Sequence, residues 1–425
     1  MMMKIIIALA IILGNSLVLK AADRYVSLSG TNDFANQFTT WAGAATDIQW
    51  AVNFALAGET VWVSNGTYYL TNQVNIASGI TLKSFSGSYA DTVINGNNFD
   101  GKPVTNRCIN MTHAGAVVEG FTITNGFPGT NNQSGGGVYM SAGMLRDCLV
   151  TGNWVTNDGM GGGVYAYCTV YGIITNCNFI GNCAHRYGGG AYIRNMAQAW
   201  NCRFTQNMVL QNSVYNGGGG LMVRYSSVPC LNNCIIVSNS AAYEGGGIFV
   251  LETAVSCILR NCLVAENTAG RGGGISLFDN RPAYTNTLEN CTIVSNRTGG
   301  LYKTYDGTTV CFNVISQSNY SYNTAGYPLM RGLNPFQGYS CCVISNTSVV
   351  FMDSGNTTNS PAFADFQGRN YRLTRESPCI NAGLNLPWMI NNTDLDGVSR
   401  IDKFSGRPDM GCYELHPRGV MFKMR

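Results

Sequence analysis

Asn176-Cys177-Asn178-Phe179-Ile180-Gly181-Asn182, followed by Gly188-Gly189-Gly190-Ala191-Tyr192-Ile193, is one period of a pattern that fills the middle of this chain. Glycine triplets start at Gly135, Gly161, Gly188, Gly218, Gly245 and Gly272, in steps of 26, 27, 30, 27 and 27 residues. A shortened copy, Gly299-Gly300, falls on the same beat. A fixed period in the twenties is the mark of a repeat architecture.

Aligning the periods on cysteine sorts the other positions. Cys148, Cys177, Cys202, Cys234, Cys262 and Cys291 are preceded by Asp147, Asn176, Asn201, Asn233, Asn261 and Asn290. Five residues on stand Asn153, Asn182, Asn207, Asn239, Asn267 and Asn296. Apolar residues occupy the position three before the cysteine (Leu145, Ile174, Ala199, Leu231, Leu259, Leu288) and two after it (Val150, Phe179, Phe204, Ile236, Val264, Ile293). After each triplet the first and third residues share one face, beginning Val138/Met140 and Val164/Ala166. These alternations are too short for helices and are flanked by turn residues, so each is a short strand.

No period has room for a crossover helix. Each strand must therefore pair in parallel with its own copy one period away, which makes a parallel β-helix around one apolar core. Asparagine suits the left-handed backbone of a corner, and stacked amides can bond from coil to coil. Glycine suits a sharp corner or a close approach of neighbouring coils. Phe121 and Gly126 fall in the cysteine and asparagine columns of an earlier rung, and Val310 to Asn319 reads as a late one. About eight to ten coils make a rod roughly 40–50 Å long. A rod needs caps on its open ends. Ile48, Val52 and Ala55 have the spacing of a short helix that would plug the first.

Composition agrees with a packed, exported protein. Only 12% of the 425 residues are charged, 45% are hydrophobic and 51 are glycine. The formal net charge is +3 and no long basic run occurs, so nucleic-acid binding is not expected. Lys4, the apolar run Ile5 to Leu13 and the small residues Ala21 and Ala22 read as a signal peptide cleaved near Ala21. No later stretch is long enough to span a membrane. The expected location is secreted or extracellular, with cell-surface association open. The once-per-period cysteines are read as stacked, buried free thiols, because parallel strand copies sit about 4.8 Å apart while disulfides need closer, converging Cβ atoms.

Two ends of the chain resemble known groups. Ile48-Gln49, Ala51-Val52, Gly58, Thr60-Val61, Val63 and Gly66-Thr67-Tyr68 resemble the entry of the pectate-lyase-like right-handed β-helix superfamily. The Gly-triplet and Asn-Cys repeats are similar to those of bacterial surface β-helix proteins. Ser360-Pro361-Ala362-Phe363, Ser377-Pro378-Cys379-Ile380-Asn381-Ala382-Gly383, Asp394-Leu395-Asp396-Gly397, Arg400 and Asp409-Met410-Gly411-Cys412-Tyr413-Glu414 resemble a choice-of-anchor Q domain. The resemblance implies an all-β, single-stranded right-handed parallel β-helix with an N-terminal capping helix and a C-terminal β-rich cap. The expected divisions are a signal peptide at 1–21, cap and first coils at 22–105, repeats at 106–345 and the C-terminal module at 346–425. Cys379 and Cys412, both inside the C-terminal motif, are the expected disulfide. The family's anchor would follow that motif, and Leu415 to Arg425 carry no apolar span, so a released or partner-held protein is expected.

Lyases of the superfamily use carboxylates to hold calcium and a Lys or Arg as base, which suits removal of an α-proton from a uronate. No outward column of Asp or Glu stands in the repeats. Glu244 with Arg271, and Arg260 with Glu289, read as surface ion pairs on neighbouring coils. Asn392, Asp394, Asp396 and Gly397 resemble the start of a calcium loop, but Lys403 stands at its twelfth position, so the segment reads as a structural turn. No metal and no cofactor is expected.

Two outward features remain. Tyr139, Tyr165, Tyr192, Met222, Phe249, Ser276 and Tyr302 stand second after each glycine group. Stacked, they make a stripe about 25–30 Å long. It is either a platform for sugar rings or a partner, or a shield for the sheet. Arg194 and Arg224 are equivalent on neighbouring coils, with His185 and Arg186 nearby. Stacked like charges suit an anionic ligand such as a uronate or sulfate, or are splayed into solvent. The reading is an exported protein that binds polysaccharide or a cell-surface glycan without catalysis. The alternatives are a polysaccharide lyase or hydrolase acting on acidic glycans, and a purely structural rod.

Overall fold

A computed structural model describes residues 22–97, 106–129, 133–225, 231–251, 257–278, 285–303, 308–319, 330–331, 336–344 and 349–415. The expected signal peptide and the last ten residues lie outside these.

The chain coils as a parallel β-helix, and the columns read from the sequence are its registers. The strand after each glycine triplet aligns Ile109, Val138, Val164, Ala191, Leu221, Ile248, Ile275 and Leu301. The strand before each cysteine aligns Val118, Leu145, Ile174, Ala199, Leu231, Leu259 and Leu288. The strand after it belongs to a sheet of 11 parallel strands, from Gly66–Tyr69 to Cys342–Val343, and aligns Val150, Phe179, Phe204, Ile236, Val264 and Ile293. All of these side chains are buried in one continuous core. Phe179 and Phe204 stack in it with ring centroids 4.6 Å apart.

The two asparagine columns divide the work. Those before the cysteine turn the corner: Asn176, Asn201, Asn233, Asn261 and Asn290 have φ of 50–54°. That is the left-handed region asparagine tolerates best after glycine. Those five residues after the cysteine form a buried amide ladder. Each Nδ2 of Asn153, Asn182, Asn207, Asn239 and Asn267 donates to the Oδ1 of the next rung at 3.0 Å. Asn296 continues the ladder to Asn319. Each Nδ2 also donates to a carbonyl of the preceding rung, and each Oδ1 accepts a backbone N–H as well, as with Asn182 N to Asn207 Oδ1 at 3.0 Å. A fully satisfied amide can sit in a dry interior where an unpaired one would cost about 1–3 kcal/mol.

The triplet needs three glycines for two reasons. The first has a left-handed φ, from 55° at Gly272 to 76° at Gly218. The other two have no room. A Cβ on Gly219 would lie 2.2 Å from the Ser240 carbonyl oxygen, and one on Gly220 would lie 2.7 Å from that of Gly247 and 3.0 Å from the Asn239 amide. The triplets therefore close the coil against the amide ladder.

The cysteines of the repeat are buried free thiols. The Sγ atoms of Cys177 and Cys202 lie 3.6 Å from carbonyl oxygens of the preceding coil. Burial pushes both thiols well above their usual range.

A seven-residue helix, Ile48–Phe54, plugs the first coil. Asp47 caps it by accepting from the N–H groups of Gln49 and Trp50, and Ile48, Ala51 and Val52 face the core.

The C-terminal segment packs on the late rungs. Its hairpin, Phe363–Asp365 with Asn370–Leu373, and the turns after it lie along the flank of the late rungs. Tyr371, Cys412 and Tyr413 pack on Leu263, Ala265 and Val294, while Leu373, Cys379 and Met410 pack on Ile315 and Cys342. The corner asparagines provide the fastening. Asn261, Asn290 and Asn313 donate to the carbonyls of Thr393, Asp409 and Leu384 at 3.2, 3.1 and 2.9 Å. Within the segment, buried Arg400 pairs with buried Glu414 at 2.9 Å. Cys379 and Cys412, the expected disulfide pair, are both buried. They belong to separate clusters, and Cys379 meets the thiol of Cys342.

Candidate functional site

The outward side chains of the post-glycine strands form one column in register: Asn110, Tyr139, Tyr165, Tyr192, Met222, Phe249, Ser276 and Tyr302. The expected stripe therefore exists, but much of it is not open. Tyr192, Met222, Phe249 and Ser276 are fully buried. With Tyr187, Leu251 and Phe278 the apolar members form a second hydrophobic cluster on the outside of the wall. Tyr215 packs edge-on against Phe278 with centroids 4.6 Å apart, and Tyr187 lies 6.1 Å from Tyr192. Tyr215 belongs to the loop that makes the Gly188-to-Gly218 step the longest of the series. That long step was the sequence signal that something folds back over the stripe.

The exposed part is the first end. Tyr139 and Tyr165 are half-buried and stack at 5.5 Å, and Tyr165 stacks on Tyr192 at 5.0 Å. The Arg107 guanidinium lies over Tyr139 at 5.2 Å. Burial raises the hydroxyl of Tyr165, and that of Tyr192 to about 12, although the Arg194 guanidinium pulls both down and Arg224 pulls down Tyr192. Tyr302 is half-buried at the far end.

Arg194 and Arg224 are register neighbours, as expected. They are neither splayed nor bare. The Arg194 guanidinium lies 4.5 Å from the ring of Tyr167 and 4.9 Å from that of Tyr225, and Arg224 lies 4.8 Å from Tyr225. Aromatic faces carry negative potential and stabilise cations there, which lets two like charges share one patch of wall. Arg186, close to Arg194 in the sequence, reaches Asp158 at 3.8 Å and the ring of Tyr187 at 5.0 Å.

Glu244 is not the surface residue expected. It is fully buried. One carboxylate oxygen accepts from the Ser276 hydroxyl at 2.6 Å, and the other lies 3.7 Å from Arg271. Burial pushes its carboxyl up to about 7. Arg271 in turn lies over Tyr243 at 4.9 Å and Tyr302 at 6.0 Å. Ser276, a small hydroxyl in an aromatic column, was the only hint in the sequence that a carboxylate reaches it. Arg260 and Glu289 do pair, at 2.6 Å, but partly buried and beneath Trp388.

In the C-terminal motif Asp396 pairs with Arg372 and Glu414 with Arg400, while Asp394 and Asp409 are occupied by backbone. Asp394 accepts from the N–H groups of Asp396, Val398 and Glu414, and Asp409 from those of Asn381 and Leu415. The segment that resembles a calcium loop is thus a turn held by its own amides.

The right-handed β-helix region family matches residues 185–359. Among solved structures, pectate lyase Pel9A aligns with a TM-score of 0.53 and 12% identity, over 93% of this chain and 98% of that one. The complex of XylC with xylose aligns with a TM-score of 0.52 and 10% identity, over 93% and 99%. No curated protein matches. At these identities the likeness is one of fold, and it agrees with the registers above: the chain is a right-handed parallel β-helix.

Proposed function

We propose that this chain is an exported β-helix protein that binds an acidic polysaccharide without cleaving it. The contact surface is the open Tyr139–Tyr165 end of the stripe together with Arg194 and Arg224. The observation that carries the reading is the arginine pair beside that end, Arg194 held between Tyr167 and Tyr225 and Arg224 over Tyr225. Fixed guanidiniums recognise carboxylate or sulfate, and neighbouring rings offer faces for sugars. The two aligned structures named above are a polysaccharide lyase and a complex with a sugar, which supports a glycan partner. In this reading the C-terminal segment, of the choice-of-anchor Q type, is a strap on the late rungs. The test is affinity electrophoresis in polygalacturonate. Arg194→Gln/Arg224→Gln and Tyr165→Ala should each weaken binding by about tenfold, roughly the loss of one good charged or stacking contact. Unchanged mobility shifts would refute the assignment.

Glu244 favours a second reading, in which the protein is a lyase or hydrolase. A buried carboxyl with a raised pKa beside an arginine is the kind of group that acts as acid or base. Incubation with acidic polysaccharides, followed by ultraviolet absorbance and reducing ends, separates the two. Sustained product that disappears in Glu244→Gln establishes catalysis and ends the binding-only reading.

A further inference from the structure

On the flank away from the stripe, the C-terminal hairpin and three rungs of the coil enclose an open cleft of about 520 Å³. Its floor comes from the residues on either side of the buried amide ladder. While Asn239, Asn267 and Asn296 point inward, their neighbours point out: Ser238 and Ser240, Glu266 and Thr268, Ser295 and Arg297. Ser240, Thr268 and Arg297 are bridged in register from coil to coil. The floor is thus a ladder of hydroxyls and charges at the rung spacing of about 4.8 Å. The wall is the hairpin, with Phe366, Arg369 and Tyr371.

Glu266 sits at the centre of this cleft and is held firmly. It accepts from Ser238 Oγ at 3.3 Å, from the Tyr371 hydroxyl at 3.0 Å and from Arg369 at 3.0 Å. Its backbone is left-handed, with φ of 58°, which costs a residue other than glycine about 1 kcal/mol. Serines occupy the equivalent corner positions above and below.

We infer that this cleft is a second saccharide site, which takes one acidic sugar unit against the rungs at Ser240, Thr268 and Arg297. The volume lies within the range of small-ligand pockets, about 300–1,000 Å³, but the lining is mostly hydroxyl and charge, which suits a hydroxylated ligand. The lining carries two guanidiniums, Arg297 and Arg369, against one carboxylate, Glu266, so an anionic group is favoured over a neutral one. Phe366, half-buried, offers the single apolar face that a sugar ring needs. The remaining acceptor capacity of Glu266 suits sugar hydroxyls and repels a bare anion. The site deepens the polysaccharide reading. It shares no residue with the stripe, so each stands or falls on its own measurement.

The experiment is calorimetric titration of the full chain, in the Arg194→Gln/Arg224→Gln background, with digalacturonate, xylobiose and inorganic sulfate. Digalacturonate should bind, and xylobiose and sulfate should bind at least about tenfold more weakly. Adding Arg297→Gln, a change at an exposed position, should weaken digalacturonate by about tenfold. Phe366→Ala should weaken it as well. Absence of digalacturonate binding overturns the inference, as does an affinity indifferent to Arg297→Gln. Sulfate binding as tightly as the disaccharide overturns the saccharide assignment and leaves a simple anion site.

Discussion

Replacing Glu244 by glutamine tests the electrostatics of the covered stripe most directly. The side chain is fully buried, and burial raises its carboxyl from 4.5 to about 7. A carboxyl whose acidity is weaker in the folded than in the unfolded chain makes its full contribution to stability below the unfolded value. That contribution is lost as pH rises toward the folded value. Between about pH 4.5 and 7 the loss runs at about 1.4 kcal/mol per pH unit, and above 7 it levels off at about 3 kcal/mol. Glutamine has the same shape, retains a partner for the Ser276 hydroxyl, and carries no charge to bury. Glu244→Gln should therefore match the wild type near pH 4.5 and exceed it by up to about 3 kcal/mol at pH 8. Denaturant unfolding of both proteins from pH 4.5 to 8.5 reads this difference. Amide exchange at Gly245 to Val250 localises it to the rung. A difference that does not change with pH, or a less stable variant at pH 8, would show that Arg271 keeps the carboxylate charged and that the burial argument is wrong.

Three further outcomes follow from the coil. Asn207→Ala removes the acceptor for the Asn182 amide and backbone N–H and the donor to the Phe179 carbonyl. It should cost about 3 kcal/mol or more in denaturant unfolding, and a loss below about 1 kcal/mol would mean that the ladder is not a stabilising element. Gly219→Ala forces a Cβ within 2.2 Å of the Ser240 carbonyl and should abolish folded expression. Gly181→Ala, at φ of 63° with nothing within 4 Å, should cost only about 1 kcal/mol; similar behaviour of the two would refute the steric account of the triplet. Among the described cysteines only Cys183 is not buried. Of these it should be the one labelled by a maleimide in the native protein, slowly because burial pushes its thiol to about 11, with the other described cysteines labelled only after denaturation. Peptide mapping decides this, and early labelling of Cys177 or Cys202 would contradict the stacked core.

The sequence was most legible where one residue type has one physical use at every turn. The Asn153-to-Asn296 column, the cysteine column and the glycine triplets each recur because each coil meets the next in the same way, so periodicity alone gives their register. The flank and the outer wall were less legible, because nothing repeats there. Tyr192 and Phe249 have the same outward register as Tyr139, but Tyr187 packs on Tyr192 and Tyr215 on Phe278 of the same cluster. Glu244 precedes its triplet as Arg271 precedes the next, which suggests an exposed pair; in the fold it accepts from Ser276 and is fully buried. Cys379 and Cys412 lie in one sequence motif but in two different clusters on the late rungs.

By itself the chain determined the coil: strand lengths, parallel pairing, inward faces and the reason for each glycine and asparagine. These are set by interactions between copies one period apart, which an aligned sequence displays. Only the tertiary structure decided which outward residues meet solvent, where the C-terminal segment lies and which charges share the Glu266 cleft. Those depend on contacts between segments up to 132 residues apart, as between Asn261 and Thr393, and no repeat in the sequence records them.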